Sequence, residues 1–158
     1  MANLFLASEI LEMNVTEEHN GAAFYGALSQ NAKSEVLREA AAAIAQQELR
    51  HEARFAHMLD ALPAAEPHES YPGEYDVYIQ QLVKNRMFSD EEDAIATAIA
   101  LSDKAAVEFA MQTEQATLNL LRELEQHIDP RELPLVQETI TEEEEHLVQL
   151  KKIMANLP

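Results

Sequence analysis

The stretch "QQELRHEARF", residues 46–55, places a glutamate and a histidine three positions apart inside an alanine-rich apolar segment. Alternating steps of four and three residues follow one face of a helix. Along this segment, that face carries the following residues: Leu37, Ala41, Ile44, Glu48, His51, Phe55, Met58 and Leu62. Glu48 and His51 therefore lie in the apolar seam. A buried, unpaired carboxylate costs several kcal/mol, so a proton, a cationic partner or a metal ion must neutralise it.

The segment "EEEEHLVQLKKI", residues 142–153, repeats this pattern, with Glu143 and His146 in register with Leu150 and Ile153. Spacing alone is weak evidence, because about one Glu-x-x-His match is expected by chance in so acidic a chain. The position in the seam is what distinguishes these two pairs. The other histidines lack a glutamate three residues earlier, and we predict that they are surface or packing residues: His19, His57, His68 and His127.

Two further glutamates fall on apolar stripes. Glu18 shares a stripe with Leu11 and Tyr25, and it lies about as far as Glu48 from a predicted turn near Lys33. Both glutamates are thus expected at one level of a helical hairpin.

Glu114 and Glu143 stand in the same relation across the "HIDP" turn at residues 127–130. Asp103 is the alternative for this position, because it lies on the same helix face as Glu114, roughly 16 Å away along the axis. The distance from the turn favours Glu114. The predicted site therefore contains four carboxylates and two imidazoles: Glu18, Glu48, His51, Glu114, Glu143 and His146.

Periodicity predicts helices over residues 3 to about 31 and 33 to about 62, then a proline-rich connection to about 89. A short helix is predicted within "YDVYIQQLVKNRMF", residues 75–88. Ser89 as N-cap, with Glu92 three residues later, predicts a third helix reaching His127, with a restart near Ser102 and Asp103 as the alternative. Pro130 and Pro134 mark the turn and first turn of a last helix ending near Leu157.

These elements predict one all-α domain over residues 1–158. Its expected architecture is a ferritin-like antiparallel four-helix bundle, with one long crossover, about 63–89, between helices 2 and 3. A plain up-and-down bundle is the alternative. The composition agrees with this class, because the chain is poor in glycine, has no tryptophan and is rich in alanine, leucine and glutamate.

The composition excludes several functions. The chain has no cysteine, which excludes a thiolate metal site and a disulfide framework. Its formal net charge of −18 argues against a nucleic-acid partner and suits the capture of cations. The first residues lack a basic segment, and no apolar run has membrane-spanning length, so we expect a cytoplasmic protein without a membrane partner.

A glutamate from each of two helices and a Glu-x-x-His pair from each of two others is the ligand pattern of dinuclear carboxylate sites in helical bundles. Oxygen donors with two imidazoles suit iron or manganese, and zinc can replace them. A metal-free buried polar network is the alternative, but it leaves two histidines to satisfy four carboxylates.

Four segments resemble the helices of the rubrerythrin and ferritin-like superfamily: "EHNGAAFY" from 18, "QELRH" from 47, "EQATLNLL" from 114 and "EEEEH" from 142. The resemblance implies two bound iron ions. It implies that Glu48 and Glu143 bridge the metals, that Glu18 and Glu114 are terminal ligands, and that His51 and His146 each bind one metal. Tyr25 resembles the family's tyrosine that donates a hydrogen bond to a ligating carboxylate, although it can also be read as an ordinary core aromatic.

The chain departs from the family in two respects. Without cysteine it cannot hold the rubredoxin-type iron of rubrerythrin itself, so the resemblance implies a separate electron donor. Leu120 and Leu121 replace the Phe-Tyr pair expected in the second half, so the two halves of the site are not equivalent.

The expected function is that of a di-iron oxidoreductase reacting with O2 or hydrogen peroxide, as a peroxidase or ferroxidase. The alternative is non-enzymatic iron binding or storage of the ferritin type, and homo-oligomers occur in both classes. A helical scaffold without metal would leave the carboxylates in the core unexplained.

Overall fold

The computed structural model describes residues 3–84 and 86–158, and helices form all of the regular structure within them. In chain order these are α1 (Leu4–Asn31), α2 (Glu35–Ala61), α3 (Glu74–Val83), α4 (Glu91–Ala100), α5 (Asp103–His127) and α6 (Leu133–Asn156). The predicted all-α class is therefore confirmed. Within the described residues, every helix is either too short or too polar to cross a membrane.

The long helices pack in pairs. α1 lies along α2, and α5 lies along α6, while α1 also packs against α4 and α5. This packing is consistent with a ferritin-like helical bundle.

Two groups of buried apolar residues form the core. The first core cluster contains Phe24, Leu28 and Ile44, together with Val107 and Leu150. The second core cluster contains residues of the same four helices at the other end: Ile10, Leu11, Phe55, Leu121, Leu124 and Val136. On each of these four helices, the predicted ligand positions lie in sequence between the residues of the two clusters. The helices thus bring those positions to one level, between two apolar layers.

The third predicted helix is divided. Leu101 is extended, and the Ser102 side chain accepts a hydrogen bond from the backbone N–H of Ala105 at 3.3 Å, which begins α5. The alternative of a restart near Ser102 and Asp103 is therefore correct. A serine N-cap satisfies a backbone donor that a new helix would otherwise leave free.

The predicted N-cap of the segment after the connection is wrong by one residue. Asp90, rather than Ser89, caps α4, and its carboxylate accepts from the N–H of Asp93 at 2.8 Å. Asp93 in turn accepts from the N–H of Ser89 at 3.0 Å, so Glu92 does not take the reciprocal role. Aspartate caps helices about as well as serine, and an acidic run contains several equivalent registers.

The short helix in the connection is confirmed, but it is shorter than the predicted segment 75–88. Gly73, with a positive φ of 83°, precedes α3, which ends at Val83. Asn85, within the predicted segment, lies outside the described residues. Phe88 packs against Phe24 and Phe109, with ring centroids 5.5 and 5.4 Å away. Burial of this ring in the first core cluster fixes the path of the chain beyond α3.

Candidate metal centre

The six residues predicted as ligands are buried together in the polar layer between the two core clusters. Their relative exposures are 4% or less: Glu18, Glu48, His51, Glu114, Glu143 and His146. Burial of four carboxylates at one level is costly without compensating cations.

The ligand atoms form two overlapping sets. One set contains Glu18, Glu48, His51 and Glu143, and the other contains Glu48, Glu114, Glu143 and His146. Within each set, one ligand atom from every residue lies within 4.8 Å of the others. Glu48 and Glu143 belong to both sets, whereas Glu18 and Glu114 each belong to one. The sets therefore describe two adjacent positions for a cation that share two carboxylates.

Glu143 faces both imidazoles. Its Oε1 lies 2.8 Å from Nδ1 of His51, and its Oε2 lies 2.9 Å from Nδ1 of His146. Nδ1 of His51 is also 3.5 Å from Glu18, and Nδ1 of His146 is 3.5 Å from Glu48. In both rings, Nδ1 is therefore the nitrogen that faces the carboxylates of the two ligand sets.

The other nitrogen of each ring contacts a residue that the sequence reasoning missed. Nε2 of His51 lies 2.5 Å from Oε2 of Glu142, and Nε2 of His146 lies 2.5 Å from Oε1 of Gln47. These oxygens accept, so each Nε2 carries a proton, and Nδ1 offers a lone pair to a metal ion once it has lost its own proton. Gln47 and Glu142 each directly precede a seam glutamate, and this matched position in the two motifs is the sequence signal that could have found them.

The two halves of the site differ at Tyr25 and at the equivalent position of α5. The fully buried hydroxyl of Tyr25 donates a hydrogen bond to Oε1 of Glu114. Seven residues after Glu114, where Tyr25 follows Glu18, the chain has Leu121, which is buried and has no hydroxyl. Among the described residues, both oxygens of Glu18 are buried without a hydrogen-bond partner.

Gly21 makes room for Glu48. A Cβ atom at Gly21 would lie 2.6 Å from Oε2 of Glu48, closer than atoms in contact approach. A side chain as small as that of alanine would therefore displace the carboxylate. The sequence alone does not explain this glycine, because the contact that requires it lies between α1 and α2.

Burial and mutual repulsion perturb the carboxyl groups of the cluster. Burial, with the charge of Glu143, raises the pKa of Glu18 and of Glu48 well above the usual range. The same two causes raise the pKa of Glu114 to about 8. Burial also opposes the charge of Glu143, but contacts with His146 and His51 outweigh it and hold its pKa low. Three carboxyl groups thus resist ionisation without added positive charge.

The imidazoles respond in the opposite sense. Burial lowers the pKa of His51, but its contact with Glu143 and the surrounding negative charge raise this pKa to about 9. Burial likewise opposes charge on His146, and contacts with Glu114 and Glu143 raise its pKa to about 10. Protons therefore compensate the cluster in the absence of metal ions, and a bound cation would compete with them.

Asp103, the alternative to Glu114, lies elsewhere. Its two carboxylate oxygens accept from the backbone N–H groups of Lys33 and Ser34, at 3.0 and 2.7 Å. Asp103 therefore ties the start of α5 to the turn before α2, and Glu114 is the residue that reaches the cluster.

The remaining histidines lie outside the cluster. His19 is exposed and contacts Glu52 and Glu91 at 3.1 and 2.9 Å, while His127 contacts the Tyr78 hydroxyl at 3.3 Å. His57 and His68 are exposed. These positions agree with the prediction of surface or packing residues.

The donor set fits two divalent metal ions. Oxygen and imidazole donors are present in the number that two such ions need, and Glu18 offers two oxygens without other partners among the described residues. The helical fold and this buried cluster are compatible with the class of dinuclear carboxylate proteins. The rubrerythrin family model matches residues 9–154. The chain therefore belongs to the rubrerythrin family. Comparisons with curated proteins and with solved structures gave no match.

Proposed function

We propose that this protein binds two iron ions in the buried cluster and acts as an oxidoreductase on O2 or hydrogen peroxide, as a peroxidase or ferroxidase. The observation that carries the proposal is the pair of overlapping ligand sets, which share Glu48 and Glu143. Membership of the rubrerythrin family supports it, since that family is one of oxidoreductases in general.

Each residue of the cluster has a proposed role. Glu48 and Glu143, common to both sets, bridge the metals, while Glu18 and Glu114 each bind one of them. His51 and His146 bind through Nδ1, because Nε2 of each ring is engaged elsewhere. Tyr25 holds Glu114 in position through its hydroxyl. Manganese and zinc are substitutes that the same donors accept.

Bound iron would supply the electrons that reduce an O–O bond, by cycling between its ferrous and ferric states. The chain provides four carboxylates, whose charge matches that of two divalent ions. The ligands lie buried between two apolar layers, and charge interactions between them are stronger in such surroundings than in water. A separate electron donor, either a protein or a small reductant, would return the site to its reduced form.

We further propose that α1, α2, α5 and α6 form the ferritin-like antiparallel four-helix bundle, with a crossover between α2 and α5 that contains α3 and α4. The order of the core residues supports this topology. α2 runs from the first core cluster, at Ile44, to the second, at Phe55, and α5 runs in the same sense from Val107 to Leu121. Two helices that run in the same direction need a long connection, which a plain up-and-down bundle lacks. A cytoplasmic location and homo-oligomers remain part of the proposal.

Non-enzymatic iron storage or handling is the second candidate. The net charge of −18 favours it, because an acidic protein attracts cations. Size-exclusion chromatography separates the two: a storage shell requires many subunits, whereas an oxidoreductase site is complete within one chain.

An anaerobic Fe(II) titration followed by O2 or hydrogen peroxide tests the proposal. We expect two ions per chain and rapid oxidation with a defined oxidant stoichiometry. Glu143→Ala should abolish binding of both ions and Glu18→Ala should weaken mainly one, while Glu145→Ala, exposed on the same helix as Glu143, serves as the control. A saturating stoichiometry below two, or ferrous protein inert to both oxidants, contradicts the proposal.

A further inference from the structure

The two imidazoles are held from outside by unlike acceptors. His51 donates through Nε2 to the carboxylate of Glu142, and His146 donates through Nε2 to the amide oxygen of Gln47, both at 2.5 Å. Each acceptor directly precedes the glutamate of the opposite Glu-x-x-His motif. The two halves of the site therefore hold their histidines with the same geometry, but one acceptor is a carboxylate and the other is a neutral amide.

This difference changes the strength of the imidazole as a ligand. A hydrogen bond to an ionised acceptor is roughly twice as strong as one between neutral groups. A carboxylate that pulls on the Nε2 proton also raises the basicity of Nδ1, the nitrogen that faces the cluster. Arg54 lies 3.7 Å from the same carboxylate of Glu142, whereas Gln47 is an uncharged amide. The outer acceptor therefore makes His51 the stronger donor of the two once metal ions replace the protons of the cluster.

The carboxylates of Glu18 and Glu114, each of which belongs to one ligand set only, also differ in basicity, and in the same direction as the histidines. Tyr25 donates to Glu114, and a hydrogen bond to a charged carboxylate lowers its basicity. Glu18 receives no such bond from the described residues, because Leu121 occupies the corresponding position. The set containing Glu18 and His51 thus combines both stronger donors, and the set containing Glu114 and His146 combines both weaker ones.

We propose that Glu142 and Gln47 are positioning residues that make the two metal positions unequal, so that the position at His51 fills first and binds a divalent ion more tightly than the position at His146. The inference rests on the proposed metal site and adds an order of filling to it. Outer partners of ligating histidines commonly change metal affinity about 10- to 100-fold. We expect the two affinities to differ by about that factor.

Exchange of the two acceptors provides the test. Glu142→Gln gives both rings an amide, Gln47→Glu gives both a carboxylate, and Glu145→Gln removes one charge from an exposed residue of the same helix as a control. Each protein is titrated anaerobically with Co(II), with absorbance and calorimetry as measures of affinity. Proton NMR follows the paramagnetically shifted Nε2–H signals of the two histidines.

In the unmodified chain we expect two binding phases, with the His51 N–H signal complete after one equivalent of Co(II). Glu142→Gln should weaken the first phase about 10-fold or more and merge it with the second, whereas Gln47→Glu should strengthen the second phase. The control should keep both phases. The gain expected from Gln47→Glu cannot arise from misfolding, so a failure to fold does not imitate the predicted pattern.

The outcomes separate the inference from the proposed function. A chain that binds no Co(II) overturns both. Two bound ions with equal affinity, or an affinity ratio that Glu142→Gln leaves unchanged, overturns the order of filling and leaves the metal site standing.

Discussion

Substitution of Gly21 by alanine tests whether the position of Glu48 matters for metal binding. The new Cβ would lie 2.6 Å from Oε2 of Glu48, and ordinary contacts begin at 3.4 Å, so the carboxylate would move by about 0.8 Å to reach an ordinary contact. Metal–ligand distances are held to about 0.2 Å. The displacement is several times larger, and Glu48 belongs to both ligand sets. We therefore expect Gly21→Ala to weaken the binding of both ions, by about 10- to 100-fold.

Gly26 supplies a matched control on the same helix. A Cβ at Gly26 would have no atom within 4 Å. Both substitutions replace glycine by alanine within α1, and each gains about 1 kcal/mol of helix propensity. Gly26→Ala should therefore raise the melting temperature of the metal-free protein by about 2–4 °C and leave metal binding unchanged.

The assay combines calorimetric titration with Mn(II) and thermal unfolding of the metal-free and loaded forms. For Gly21→Ala, we expect a smaller stabilisation by metal than in the unmodified chain. Binding of two Mn(II) ions by Gly21→Ala as tightly as by Gly26→Ala would contradict this prediction, because the cluster would then tolerate a displaced Glu48.

Three further predictions concern stability. Tyr25→Phe removes the donor to Glu114, whose raised pKa keeps it largely protonated in the metal-free protein at neutral pH, so the lost hydrogen bond joins neutral groups. Such a bond contributes about 0.5–1.5 kcal/mol, and the metal-free protein should melt about 1–6 °C lower; an unchanged melting temperature would mean that the bond is weak. Asp103→Ala removes the acceptor of two backbone N–H groups, so the free energy of unfolding, measured by chemical denaturation, should fall by about 1–2 kcal/mol. The variant should still bind two metal ions, and loss of metal would contradict the assignment of Glu114. The pKa of Glu114, raised to about 8, gives metal-free protein a stabilisation that is complete below about pH 4.5 and is lost as the pH rises through about 8. Metal binding requires the deprotonated groups, so the difference in melting temperature between Mn(II)-loaded and metal-free protein should widen from about pH 5 to about pH 8. Mg(II) at the same concentration is the control, and a constant difference would argue against metal binding at these carboxylates.

The fold was largely predictable because helix periodicity determines which residues face the core. Two features were not predictable with the same certainty. The break at Leu101 depends on a single serine cap, and periodicity continues through it in the sequence. The register at Asp90 depends on a choice among neighbouring residues of similar capping strength, and local contacts with Ser89 and Asp93 decide it. Element type follows from many residues, whereas a boundary follows from one or two.

In the candidate site, too, the residues that follow a repeated pattern were predictable and those that depend on local contacts were not. The six buried residues were found because the two helical hairpins repeat the same seam positions, and this repetition is visible within one sequence. The outer contacts are absent from the seam. Gln47 and Glu142 lie one residue away from it, about 100° around the helix, and each contacts a histidine of another helix. Their importance depends on the rotation of neighbouring helices, which periodicity does not determine. The repeat therefore predicts what the two halves share, and the sequence already shows Leu121 where a counterpart of Tyr25 is expected. The structure was needed to find the second difference, at Glu142 against Gln47.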